Sequence, residues 1–320
     1  MRCELVNGIL PLWKERGMTS HDCVFKLRKI LHTKKIGHGG TLDPDVDGVL
    51  PICIGKGTKV IEFLTDSGKR YEGEITLGFA TTTEDASGEI IEQTPVTRPL
   101  SVEEIDQAMK KMEGPIIQIP PMYSAVKVNG KRLYEYARNN ETVKRPERKV
   151  TIYQFKRISD VKYDEEKKNI SWRFSVVCSK GTYVRTLAVD TGKALGYAAH
   201  MSDLTRTASG GFSKEQAYTL SQVAQFYDQN RFSEILLPIE YGVKDFPRID
   251  VDLSLAKKIC NGMRLTFQQL GFKQQPDRPL ALFYNNQVLS IYEPHETDST
   301  LLKPKKVLQT NLKEDEHGNH

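Results

Sequence analysis

The chain has 320 residues, of which 38% are apolar and 27% charged, and its formal net charge is +5. That balance fits a globular protein of one large or two ordinary domains and argues against disorder in its body. A charge so mildly basic is a weak argument for nucleic acid, so local clustering has to carry any such case. The five cysteines, at 3, 23, 53, 178 and 260, form no C-x-x-C pair and no zinc-ligand spacing with histidine, and no metal site is expected. An odd, scattered cysteine set with no apolar leader and no long apolar span predicts a cytoplasmic protein without membrane contact.

From the N-terminus, the apolar start Val6 to Leu12 precedes a helix that Thr19 or Ser20 can cap, with Val24, Leu27, Ile30 and Leu31 on one face. It leads into Gly37-His38-Gly39-Gly40-Thr41-Leu42-Asp43-Pro44-Asp45-Val46-Asp47-Gly48, directly before the apolar run Val49 to Ile54. Four glycines in twelve positions allow positive φ angles and close approach by another molecule. Asp43, held before Pro44 in an extended or turn conformation, is presented rather than buried in a regular element. Asp43, Asp45, Asp47 and Gly48 begin like a calcium loop, but Ile54 stands where that loop needs its bidentate Glu. An ordinary surface turn and a functional loop remain open on these residues alone. Ile54-Gly55-Lys56-Gly57-Thr58 resembles a phosphate loop only in fragment, because Leu50 occupies the first glycine's place.

A strand follows in which Tyr71, Gly73, Ile75, Leu77 and Phe79 alternate with polar residues, placing Tyr71 on the face of Ile75 and Leu77. Ser101 to Met112 read as a helix that Gly114-Pro115 ends. Between Lys127 and Lys149, eight Lys and Arg residues oppose Glu135, Glu141 and Glu147, with Tyr123, Tyr134 and Tyr136 nearby. Basic groups mixed with aromatics suit phosphate contact and base stacking, although a solvated charged face gives the same composition. A second strand places Ile170, Trp172, Phe174, Val176 and Cys178 on one face. Thr182 can cap the next helix, with Val184, Leu187, Ala188 and Leu195 as its apolar stripe. Arg185 then falls in the first turn, where a cation faces the positive end of the dipole and costs a few tenths to about 1 kcal/mol. Its partner is either a surface salt bridge or an active-site carboxylate. From Pro247 the texture turns to short apolar pieces with turn signals, so 246–302 is read as a small β-rich domain after a main domain over 1–245. The stretch 303–320 lacks an apolar period and is expected to be a mobile charged tail.

Five separated motifs stand in order: residues 37–44, Lys69-Arg70-Tyr71, Pro121 to Lys127, Ser179 to Thr186, and His200 to Arg206. Together they resemble the bacterial tRNA pseudouridine-55 synthases, the TruB family, over about residues 5–240. Two departures are visible. Gly39 stands where the family usually has Thr, and Asp45-Val46-Asp47 replaces a more neutral stretch, adding charge that can raise the carboxyl pKa at Asp43. The resemblance implies an α+β fold in which flanking helices cover a largely antiparallel mixed sheet, followed by a small PUA-like C-terminal domain. It also implies isomerisation of uridine 55 in the T loop of tRNA, without cofactor or metal, by a protein expected to be a monomer. By the same resemblance Asp43 is the catalytic carboxylate, attacking C1′ or assisting proton removal from C2′, and Arg185 is its counter-ion. Tyr71 lies against the base and can move a proton, Tyr183 and Leu204 line the base pocket, and His38 fills the stack vacated by the flipped uridine. The basic stretch at about 120–150, with Lys127, Lys144 and Arg145, corresponds to an RNA-gripping thumb. A non-catalytic RNA-binding or tRNA-folding protein is the alternative, which the joint presence of Asp43, Tyr71 and Arg185 disfavours.

Overall fold

A computed structural model of the chain describes residues 6–312. Strand β1 (Gly8–Lys14) is an apolar run paired along its whole length with β3 (Asp47–Ile54). Helix α1 (Ser20–Ile30) starts at Thr19, whose side chain accepts from the Asp22 amide while the Asp22 carboxylate accepts from the Thr19 amide. This reciprocal cap fixes where the helix begins. The short β2 (Ile36–His38) also pairs with β3, and α2 (Ile61–Asp66) leads into β4 (Lys69–Leu77), where Tyr71, Gly73, Ile75 and Leu77 are buried. A hairpin of β5 (Phe79–Thr81) and β6 (Ile90–Gln93) precedes α3 (Val102–Lys110). That helix is shorter than the expected 101–112 because Ser101 is its cap and the chain turns after Lys110.

After β7 (Gly114–Gln118) comes the basic stretch, built from β8 (Lys127–Val128), β9 (Lys131–Arg132) and α4 (Leu133–Arg138). The remaining strands of the large sheet are β10 (Arg148–Arg157), β11 (Lys162–Asp164), β12 (Asn169–Cys178), β13 (Ala199–Ser209) and β14 (Phe212–Ser213). Helix α5 (Val184–Leu195) lies between β12 and β13, and α6 (Leu220–Asp228) follows β14. The main path of the sheet runs β1-β3-β13-β4-β12-β10-β7, with β2, β11 and β14 pairing beside it. Every pairing is antiparallel except β13 with β3. This is the expected largely antiparallel mixed sheet. Ile105 of α3 and Leu187 of α5 share one core with Ile75 and Trp172, while Leu27 of α1 and Val223 of α6 share another with Leu12 and Leu50.

The C-terminal unit is a five-stranded sheet of β15 (Arg248–Asp250), β16 (Leu265–Thr266), β17 (Leu280–Tyr284), β18 (Gln287–Pro294) and β19 (Leu301–Val307), with α7 (Leu253–Cys260) packed on it. Strand β19 corrects the expectation of a mobile tail from 303. Leu302 and Leu308 are fully buried, β19 pairs with β18 and β16, and the lysines that suggested a tail form ion pairs with Glu293, Glu296 and Glu62. Residues 313–320 of that expected tail lie outside the described residues. The two sheets also share an apolar cluster, in which Ala281, Phe283, Val288 and Ile291 meet Ile9, Val49 and Val60.

Candidate active site

The glycine segment between β2 and β3 is held from several sides by its backbone. Lys14, fully buried, donates Nζ to the Pro44 carbonyl at 3.1 Å, and the Gly17 amide donates to the same oxygen at 3.0 Å. The Leu42 amide donates to Ser20 Oγ at 2.9 Å. From β13, the buried Arg206 donates to the Gly40, Thr41 and Val49 carbonyls. Gly48 has φ +132°, and a Cβ there would lie 2.3 Å from the Arg206 carbonyl oxygen, so only glycine lets β3 run beside β13 at this point. A loop fixed in this way presents Asp43 with little freedom left to its backbone.

Asp43 Oδ2 lies 3.0 Å from Arg185 Nη2, with 44% of the carboxylate side chain exposed and 6% of the arginine's. Arg185 also donates Nη2 to the Tyr123 carbonyl and Nη1 to the Thr83 carbonyl, each at 2.9 Å, and Nη1 stands 3.5 Å from Asp85 Oδ2. Two carboxylates and two carbonyls therefore offset the unfavourable position of this cation in the first turn of α5. Thr182 does not cap that helix: its hydroxyl donates to the Ser179 carbonyl, and Tyr183 occupies the cap position. Gln118 serves the helix start instead, accepting from the Tyr183 amide at 3.0 Å and donating to its carbonyl at 3.2 Å.

Burial raises the Asp43 carboxyl above its ordinary value; Arg185 pulls it down, Asp85 pushes it up, and Lys14 and Asp45 add smaller opposing effects. Of the added charges read from the sequence, Asp45 thus acts on Asp43. Asp47 faces Arg16 at 3.3 Å and accepts from the Thr205 hydroxyl at 2.6 Å.

Asp43 and Arg185 line a cavity of about 270 Å³ together with Val46, Tyr71, Tyr183, Val184 and Leu204. That volume lies just below the about 300–1,000 Å³ usual for drug-sized ligands, so the cavity has room for only a small group. Lys69 and Lys180 also line it, Lys180 being paired with Asp66 at 2.6 Å. Burial, with help from Arg206, lowers the Lys69 ammonium to about 8. A second cavity of about 570 Å³ shares Asp43, Val46, Arg185 and Leu204 with the first and adds Tyr123, Asp85 and Arg138. The ion pair therefore stands where the two meet. Tyr71 is 7% exposed, and burial raises its phenol above the ordinary value. Burial likewise raises Tyr183. Among the described residues, no group of three or more His, Cys, Asp or Glu side chains could hold a metal ion, and no helix is long and apolar enough to cross a membrane.

The family described as TruB family pseudouridylate synthase (N terminal domain) matches residues 28–184, and tRNA pseudouridylate synthase B C-terminal domain matches residues 185–244. A tRNA pseudouridine synthase B of Streptococcus mutans is 57% identical over 303 residues, 95% of this chain and 99% of that protein. One from Bacillus pumilus is 50% identical over 305 residues, 95% of this chain and 98% of its own. The chain belongs to the TruB family. Among solved structures, a chain of a Cbf5-Nop10-Gar1 complex superposes with a TM-score of 0.71 at 27% identity, covering 97% of this chain and 86% of that one.

Of the residues that TruB resemblance singled out, Asp43, Tyr71, Tyr183, Arg185 and Leu204 meet at one cavity, whereas His38, Lys127, Lys144 and Arg145 stand outside its lining. His38 ends β2 opposite Ile52, and burial lowers its pKa below the ordinary value. Lys127 and Lys144 are exposed, while Arg145 donates to the Pro120 carbonyl at 3.0 Å. Lys131 pairs with Glu141 at 2.7 Å and lies over the Tyr136 ring, and Arg138 lies over Tyr134. Sequence reasoning missed Asp85, Lys14 and Gln118, and gave Arg206 no role. Asp85 alone carried a signal, as a carboxylate in a polar turn; the others look like ordinary strand residues.

Proposed function

We propose that this chain isomerises uridine 55 in the T loop of tRNA to pseudouridine, with Asp43 as the catalytic carboxylate. The observation that carries the reading is the Asp43–Arg185 pair at 3.0 Å inside a base-sized cavity. The reaction breaks the N1–C1′ bond, turns the uracil, joins C5 to C1′, and moves the C5 proton away while N1 regains one. Asp43 serves by attacking C1′ to form a sugar ester, or by taking the C2′ proton as positive charge develops on the sugar. Either role needs the anion, and the guanidinium fork of Arg185 favours it. Tyr71, protonated at neutral pH as tyrosines ordinarily are and made harder still to ionise by burial, packs against the base and can hand on the C5 proton only through a transient phenolate. Tyr183 and Leu204 bound the base.

Extruding a stacked uridine costs a few kcal/mol. His38, neutral because burial lowers its pKa, fits the stack left open. Lys127, Lys144 and Arg145 grip the RNA backbone, the tRNA partner being recognised at its T stem-loop. The same reading makes the protein a cytoplasmic monomer that works without metal or cofactor. A protein that only gripped RNA would gain nothing from a carboxylate in its cleft, since that charge repels phosphate.

The test is to incubate the protein with unmodified tRNA transcript and map pseudouridine by carbodiimide-stopped primer extension. A stop at position 55, on whole tRNA and on the isolated T-arm hairpin, is expected. No stop on either RNA, at enzyme in excess over substrate, contradicts the proposal.

A further inference from the structure

Arg185 is held from behind by the turn that joins β5 to β6. The Thr83 carbonyl accepts from its Nη1 at 2.9 Å, and the Asp85 carboxylate stands 3.5 Å from the same nitrogen. Between those two residues Glu84 has φ +64°, a left-handed conformation that side chains other than glycine, asparagine and aspartate rarely adopt. Its carboxylate is turned onto α5, where it accepts from the Thr186 hydroxyl at 2.8 Å. Thr186 follows Arg185 directly in the first turn of that helix. The backbone of the turn is fixed as well: the Glu84 amide donates to the Thr81 carbonyl at 3.2 Å, and the Met201 amide of β13 donates to the Glu84 carbonyl at 3.0 Å. Burial raises the Glu84 carboxyl above its ordinary value, with the Thr186 bond and then Arg185 and Arg145 opposing it. A half-buried carboxylate on a strained backbone is an expensive way to close a turn that glycine would close freely, and what this side chain adds is the link to α5.

We propose that Glu84 is a positioning residue for the reaction: its hydrogen bond with Thr186 locks the 81–88 turn to the start of α5. The lock keeps the Thr83 carbonyl and the Asp85 carboxylate on the Arg185 guanidinium, and thereby keeps the guanidinium on Asp43. The proposal rests on Asp43 and Arg185 being the reacting pair. An error of about 1 Å in a catalytic group costs up to about 100-fold in rate, so a lock one residue from Arg185 has enough leverage to matter.

The experiment measures single-turnover pseudouridine formation on tRNA, tRNA affinity and thermal midpoint for the full chain and three variants. Glu84→Gly and Thr186→Val are expected to lose about 10- to 100-fold in rate, with affinity within about threefold. The midpoint of Glu84→Gly should hold or rise, because glycine adopts this φ without strain. Glu84→Gln keeps an acceptor for Thr186 and is expected to lose at most about threefold. A wild-type rate in Glu84→Gly, or a Glu84→Gln variant as slow as Glu84→Gly, overturns the lock. Loss of rate matched by equal loss of affinity overturns it too. If the wild-type chain forms no pseudouridine, it is the proposed activity that fails, and the two failures are distinct.

Discussion

At Asp43, two physical demands pull against each other: a nucleophilic carboxylate has to be charged, and a cavity that takes a base has to be dry. Both pulls are visible at this carboxyl, where burial raises it and Arg185 opposes the rise. With the anion as the proposed working form and its value raised above 3.8, activity should be lost as pH falls through that raised value. The acid limb of the single-turnover rate should therefore lie above the ordinary aspartate value. Asp85→Asn removes a like charge and should move that limb to lower pH; a shift upward would show that Asp85 helps Asp43 ionise. In the same cavity lining, burial lowers the Lys69 ammonium to about 8. Affinity for tRNA should fall between about pH 7.5 and 9 in the wild type and stay level in Lys69→Arg, which titration of binding at each pH can check. A cation at a helix start called for some anion, but it was the family resemblance, not the helix, that pointed to Asp43 as the partner of Arg185. Asp85 stood in none of the motifs that carried the resemblance, and its approach to Arg185 depends on how the turn after β5 packs against α5.

Among the elements, those with a strong period or cap are legible in the amino-acid order itself. The strand containing Trp172 alternates strictly, and the helices after Thr19 and Ser101 start at reciprocal caps. Thr182 misled because a hydroxyl before an apolar stripe looks like a cap, whereas tertiary contacts gave that duty to Gln118, 65 residues away. Strand β19 was hidden because Lys303, Lys305 and Lys306 mask its apolar positions, and their charges are met by glutamates from other segments. The basic stretch carries its own test. With Arg145 tied to the Pro120 carbonyl, the free cations there are better represented by Lys127 and Lys144. Replacing both with alanine should lower the slope of log affinity against log salt by about 0.7 to 0.9 per lost phosphate contact. An unchanged slope would mean that these lysines do not touch RNA.

For the whole molecule, the shared cluster of Phe283, Val288 and Ile291 with Ile9, Val49 and Val60 makes the small sheet part of the main body's core. Phe283→Ala should cost about 3–5 kcal/mol and lower the midpoint of a single unfolding transition followed by calorimetry. Two separate transitions, with only the smaller one moving, would show that the sheets fold independently. A firm body would matter to the proposed chemistry, because its pair draws Asp43 from the loop before β3 and Arg185 from α5. The most direct check on that arrangement is single-turnover pseudouridine formation on tRNA by Asp43→Asn, with deamidation excluded by mass spectrometry and tRNA affinity measured alongside. The account predicts affinity within about tenfold of wild type and no product, since the amide neither attacks C1′ nor takes a proton from C2′. Turnover retained by the asparagine variant would contradict it.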